Sequence, residues 1–248
     1  MLADRHPQGP MRAAPVVRDD RYPGGRHSPA GVRRAAFGVL LVLLVADAVF
    51  LYLHRLWLQQ ILSDRFSLAN EASAGELYQN GKELALAAIG IALAMTRSDR
   101  LYTCWAVLFI YLFLDDTFEI HERMGDVIGH RLADGPVFGL YPGHFGELVF
   151  AGLIGTLFLT ALAAAWLTGT RAARRFSLLL VGAVAALAAF GVVADTLQVL
   201  VDRRSPWHYR LGIVDDGGEL VMITVMLWIA LRHLRPGVSG LPRAGSEG

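Results

Sequence analysis

The chain has 248 residues, of which 54% are hydrophobic and only 18% charged, and its mean hydropathy is +0.42. That balance is too apolar for an ordinary soluble domain of this length, and the apolar residues are gathered into runs. A net charge of +1 excludes a globally acidic or basic protein, and a single cysteine, Cys104, excludes an intrachain disulfide. That lone thiol reads as buried and inert.

Residues 1–34, rich in Arg, Pro and Gly, read as a disordered basic cytoplasmic tail, and 234–248 as a second disordered cytoplasmic tail. Between them, 35–233 reads as one all-α domain, a polytopic integral membrane helix bundle. About six transmembrane helices are expected, at roughly 35–56, 76–96, 101–121, 147–168, 176–200 and 213–233. Long Leu/Ala/Val runs lack the alternation of barrel strands, and lipid forbids unpaired backbone, so helix is the state that fits. The first run, "RRAAFGVLLVLLVADA", has the outline of a cleavable leader. Its Phe sits one position late for a twin-arginine signal and a long tail precedes it, so a retained first helix is the stronger reading.

Basic residues set the orientation. With both termini cytoplasmic, 15 Lys/Arg fall inside and eight outside or at the outer boundary, as the positive-inside rule requires. The acids are sorted the other way: 16 lie on or near the outer side, five inside, and Asp47 within the first span. This places the protein in a bacterial-type inner membrane. The basic tail then has a topological role and an affinity for anionic lipid, and nucleic acid is not indicated.

The acids also suggest repetition. "DDTFEI" at 115–120 resembles "DDGGEL" at 215–220, and "GEL" opens each even-numbered span, at 75–77, 146–148 and 218–220. Asp47, Asp116 and Asp195 mark the odd spans, each followed after seven or eight residues by Arg55, Arg123 or Arg203. The pattern is that of three repeated helical hairpins whose acids converge on a common axis.

Helical spacing groups them further. Asp115, Glu119, Glu122 and Asp126 fall at i, i+4, i+7 and i+11, and on an unbroken helix they share one face, with His121 turned well away. Glu76, Asn80 and Glu83 repeat i, i+4, i+7 on the second span, while Asp195 and Asp215, Asp216, Glu219 stand on the last two. A carboxylate near the bilayer centre costs about 2.5–3.5 kcal/mol on insertion scales, so several together must face the bundle interior. There they must be protonated, paired or bound to a cation.

His144 and Glu147 in "YPGHFGELVF" are three apart at a helix start, on one face, as metal sites in bundles require. The expected ligands are Glu119, Glu122, His144, Glu147 and Glu219, with Asp115, Asp116 or Asp215 as general base or outer support. Glu76, Lys82, Glu83, His121, Asp195 and Asp216 are secondary candidates. Such an oxygen-rich shell suits Mg, Mn, Zn, Fe or Ca. Lys82, the only lysine, is read as snorkelling to the outer headgroups, or else as a counter-ion for an inward acid. Arg203, Arg204 and Arg210 lie among interfacial aromatics and could cradle an anionic headgroup.

"FLDDTFEIHERMG" resembles the L-D-E-x-x-x-I-H-E signature of a loosely defined group of uncharacterised bacterial multi-pass membrane proteins. Asp115, Ile120, His121 and Glu122 match, and Asp116 stands where that pattern has Glu. The resemblance spans about a dozen residues and implies no activity, although it raises the standing of His121. Three functions are compatible with the whole. One is a divalent-metal-dependent enzyme acting on a lipid-linked or amphipathic substrate, one a proton- or cation-coupled transporter. The last is a non-catalytic scaffold whose acids pair with Arg123, Arg203 and Arg204.

Overall fold

The computed structural model describes residues 29–58, 61–66, 68 and 73–234. The expected tails lie outside these, except that residues 29–34 already belong to the first helix and Leu234 caps the last. The described residues form eight α-helices and no strand: α1 (Pro29–Leu58), α2 (Ala74–Thr96), α3 (Arg100–Phe118), α4 (Ile120–Leu132), α5 (Pro142–Thr168), α6 (Arg171–Ala188), α7 (Asp195–Leu200) and α8 (Pro206–His233). Four stretches are long and apolar enough to cross a membrane: Arg34–Trp57, Arg100–Phe118, Pro142–Thr168 and Arg171–Leu200. Helices α2 and α8 are as long, but acidic and basic residues interrupt their apolar sequence.

Local chemistry fixes where the helices begin. Ser73, Thr170 and Ser205 each cap a helix by accepting a backbone N–H, and Pro142 and Pro206 open α5 and α8. Asp99 does double duty, accepting from Leu101 N at 3.0 Å to cap α3 and from Thr170 N at 2.7 Å in the neighbouring turn. Burial alone would push the Asp99 carboxyl up, but these amide hydrogen bonds outweigh it and hold the group below the usual range. Helices α2, α3, α6 and α8 meet in an apolar core around Leu86, Trp105, Phe109, Leu180, Ile223 and Met226. Within it the Trp105 indole donates to Ser177 Oγ at 2.9 Å, so the one polar atom of that large side chain is satisfied.

A second, polar contact ties α1, α2 and α8. The Lys82 ammonium donates to Asp47 Oδ1 (2.9 Å), to the Leu220 carbonyl (2.6 Å) and to Thr224 Oγ1 (3.1 Å). Asp47 also accepts from Thr224 (2.7 Å) and from the Tyr78 hydroxyl (2.8 Å). Three ammonium protons meet three acceptors. The expected snorkelling of Lys82 is therefore corrected: the residue is buried, and its counter-ion is Asp47 rather than the adjacent Glu83. Asp47 in turn leaves the group of acids expected around a common axis.

Three helix breaks depart from the sequence reading. Helix α3 ends at Phe118, and Glu119 takes the left-handed conformation (φ 49°, ψ 43°) before α4 starts in a new direction. A non-glycine residue there stores on the order of 1–3 kcal/mol of strain. The expected fifth span contains a π-helical turn, Ala189–Ala194, between α6 and α7. Helix α8 begins at Pro206, so the third "GEL", Gly218–Leu220, lies in mid-helix instead of opening one. The correspondence between the three "GEL" sites is lost there.

Candidate functional site

The break at Glu119 rearranges the expected acidic stripe. Asp115 Oδ1 accepts the backbone N–H of His121 at 2.8 Å, supplying α4 with the cap that Glu119 does not provide. The imidazole Nδ1 of His121 stands 3.3 Å from Asp115 Oδ2, an ion-pair contact without hydrogen-bond alignment. The reading of His121 as turned away from the acids is thus corrected, because it assumed an unbroken helix. The same break turns Glu119 toward Arg123, with Glu119 Oε2 at 3.5 Å from the guanidinium. Glu119 is drawn off the expected ligand set, and Asp115 acts in folding as a cap.

Glycines then clamp α4 against α5. A Cβ on Gly129 would run into the Pro142 carbonyl, and one on Gly146 into the Gly125 carbonyl. A Cβ on Gly125 would strike Glu147. Gly125 and Gly129 are four apart on α4, so they form one smooth face on which the backbone of α5 rests. This contact lays the first two turns of α5, with His144 and Glu147, alongside Gly125–Gly129 of α4. Glu122 feels it: partial burial, with Glu119, Glu147 and Asp126 close by, raises its carboxyl above the usual range against the opposing pull of His121.

His144 Nδ1 and Glu147 Oε2 are 3.2 Å apart, the i, i+3 pair anticipated from sequence. What joins them is Asp195, the first residue of α7. One ligand atom from each of His144, Glu147 and Asp195 lies within 4.8 Å of the others, and all three side chains are half-buried. Among the described residues this is the group able to hold a metal. Glu122 and Glu219, expected as ligands, are not in it. Asp195, ranked below them, is.

Behind this group lie the acids of α8. Asp215 and Asp216 are near enough to Asp195 for their charges to interact, and Glu219 faces Asp215, Asp216 and Asp116. A Cβ on Gly191 would overlap the Glu219 carboxylate, so the glycine of the π turn makes the room that this side chain occupies. His54, which the sequence reading missed, holds Asp216. Its Nδ1 accepts from Leu68 N at 3.0 Å, which leaves the proton on Nε2, 3.2 Å from Asp216 Oδ2. The available signal was spacing: His54 follows Asp47 by two helical turns, and both are 1% exposed. Arg203 and Arg204 are exposed at the turn joining α7 to α8, and Arg210, exposed near the start of α8, stacks 5.0 Å over Trp207. Of the pairings a scaffold would use, Arg123 with Glu119 is present, on the surface.

No curated protein and no solved structure matches this chain. The family model for a domain of unknown function, DUF8692, matches residues 35–234, and the chain belongs to that family.

Proposed function

We propose that this chain is a divalent-metal-dependent membrane enzyme acting on a lipid-linked or amphipathic substrate, with His144, Glu147 and Asp195 as its metal ligands. The observation that carries the reading is the convergence of those three donors, from α5 and α7, to within 4.8 Å. One imidazole and two carboxylates suit Zn²⁺, Mn²⁺ or Fe²⁺ and leave coordination positions for water and substrate. When bound, such an ion supplies Lewis acidity toward a phosphoryl or carbonyl oxygen. The chain's own residues do the rest. Asp215, close to Asp195, takes up a proton from water as general base, and His54 fixes its neighbour Asp216 through a neutral imidazole. Arg203 and Arg204, eight and nine residues after Asp195, and Arg210 beyond them receive an anionic headgroup.

In this reading the bundle crosses a bacterial-type inner membrane six times, with α2 and α8 as the further spans and both termini cytoplasmic. Support comes from the packing of α2 and α8 against the apolar helices and from the Lys82–Asp47 contact, which neutralises charge at depth. The sorting of Lys/Arg and Asp/Glu to opposite sides supports the orientation.

Elemental analysis of the detergent-purified full chain tests the ligand set. Wild type and Glu119→Gln are expected to hold a near-stoichiometric divalent metal, and Glu147→Gln and Asp195→Asn to lose it. Folded wild-type protein free of metal after growth and dialysis in metal-replete buffer overturns the reading.

A further inference from the structure

Between α6 and α8 lies a groove of about 590 Å³, within the roughly 300–1,000 Å³ range of ligand sites. The two helices run antiparallel there: Phe176, near the start of α6, stacks 4.5 Å from His233, at the end of α8. The walls are apolar, with Phe176 and Leu179 on one side and Met222, Val225 and Ile229 on the other. Gly182 also lines the groove, and a Cβ there would meet nothing within 4 Å, so the glycine leaves a notch in the wall. Leu179 and Gly182 are exposed, and the groove is therefore open along its side. From Met222 to Arg232 it follows about 15 Å of α8, half of a hydrocarbon core about 30 Å thick. That length matches one leaflet.

Charge is gathered at one end. Arg232 lines the groove there, its guanidinium 4.6 Å over the Trp228 ring, a contact that orders the side chain and uses none of its N–H donors. Arg175 stands at i, i+4 and i+7 with Leu179 and Gly182, so α6 adds a second guanidinium on the same face. It is exposed, whereas its neighbour Arg174 is committed to the carbonyls of Trp166 and Leu167. None of the groove's lining residues is acidic. An apolar trough one leaflet long, with two cations at its mouth, complements an acyl chain beneath an anionic headgroup. A free anion would leave the walls uncovered. A second copy seated groove to groove about a two-fold axis would bring its own arginines to the same mouth, where like charges repel.

We propose that the groove between α6 and α8 binds one anionic phospholipid, an acyl chain between the walls and the headgroup phosphate on Arg232 and Arg175. The proposal rests on the reading of α6 and α8 as membrane spans and not on a bound metal. The site shares no residue with the outer His144–Glu147–Asp195 group, and Arg203, Arg204 and Arg210 lie toward the opposite end of α8. With the helix ends cytoplasmic, the lipid comes from the inner leaflet.

The test is native mass spectrometry of the full chain in detergent, titrated with phosphatidylglycerol or with phosphatidylcholine of the same acyl chains. Wild type and Glu147→Gln are expected to retain one phosphatidylglycerol in preference to phosphatidylcholine, whether or not metal is bound. Arg232→Gln and Arg175→Gln are each expected to weaken phosphatidylglycerol about fivefold and to leave phosphatidylcholine unchanged. Gly182→Leu fills the notch, keeps both arginines, and is expected to weaken phosphatidylglycerol about tenfold or more. Gly152→Leu, at an equally open position on α5, is the control and is expected to bind as wild type does. Thermal unfolding identifies folded samples, and the variants lie on two helices, so misfolding of one does not decide the matter. Equal retention of the two lipids would mean solvating lipid only and overturns the proposal. Release of phosphatidylglycerol by millimolar inorganic phosphate, or wild-type binding by folded Gly182→Leu, would mean an anion site without the groove and overturns it too. So do wild-type dimers that Gly182→Leu converts to monomers, because a second copy then covers the groove. Recovery of the folded chain without detergent would sink the membrane reading and this proposal with it, a failure distinct from the others.

Discussion

Lys82 and Glu83 are neighbours on α2, both buried, and their surroundings could hardly differ more. Around Lys82 every polar atom has a partner: three acceptors for the ammonium, two hydroxyl donors for Asp47, and the Tyr78 ring at 4.6 Å from the charge. Around Glu83 the neighbours are more carboxylates, and one of its oxygens has no donor. Burial penalises both charges alike, so the difference lies in compensation. A satisfied buried ion pair is an architectural joint. An unsatisfied one is a place where the fold stores a cost, and such places are where ligands and chemistry belong.

The contrast breaks most visibly at the joint. Removing one partner, as in Asp47→Ala, leaves the ammonium buried and uncompensated and is expected to destabilise the protein by about 3–5 kcal/mol. The midpoint of thermal unfolding, followed by tryptophan fluorescence in detergent, reads this as a large fall or as loss of folded yield. The double replacement Asp47→Leu with Lys82→Met removes both charges and is expected to recover most of the loss. If the double variant is no better than the single, the joint does not act as a compensated pair.

The next largest effect concerns how the outer group is assembled. Gly146→Ala places a methyl against the Gly125 carbonyl and 2.6 Å from Gly129 N, where backbone and not a flexible side chain must yield. The expected cost is about 1–3 kcal/mol, and the displaced first turn of α5 carries His144 and Glu147 with it, lowering bound metal in parallel. Gly152→Ala, on the same helix where a Cβ meets nothing within 4 Å, is the control and is expected to change neither. Equal behaviour of the two variants would show that close packing of α4 on α5 does not set the ligand geometry.

Much of this was legible in the sequence, and the failures share a cause. Apolar runs announced a helical membrane protein, and the i, i+3 spacing of His144 and Glu147 correctly put them in contact. What the sequence concealed was where helices stop. Nothing in "DDTFEIHER" signals a left-handed residue at Glu119, since that conformation favours Gly or Asn. The stripe through Asp115, Glu119, Glu122 and Asp126 therefore runs across a break, and spacing alone puts His121 on the wrong side of it. The π turn beside Gly191 was hidden in the same way, inside an uninterrupted apolar run. The burial of Lys82 is hidden from the sequence for another reason. Its partners Asp47 and Thr224 lie 35 and 142 residues away, and no local pattern reports pairing at that separation.

The smallest effect sharpens the comparison by supplying an ion pair of intermediate kind. His121 beside Asp115 is neither sealed like Lys82 nor orphaned like Glu83: its side chain is 42% exposed. The Asp115 carboxylate, acting against partial burial, pushes the imidazole pKa up to about 9 in the folded protein. In the unfolded chain the group titrates near 6.5, so the folded state holds the proton more tightly. The stabilisation is therefore complete below about pH 6.5 and is lost as the pH rises through about 9. Solvent screening of so exposed a pair keeps its size below about 1 kcal/mol. Comparing wild type with His121→Gln across that window should show a small wild-type advantage at pH 6 that has closed by pH 10. A difference that is constant with pH would mean that His121 contributes through side-chain packing alone, because Gln retains the backbone N–H that Asp115 accepts.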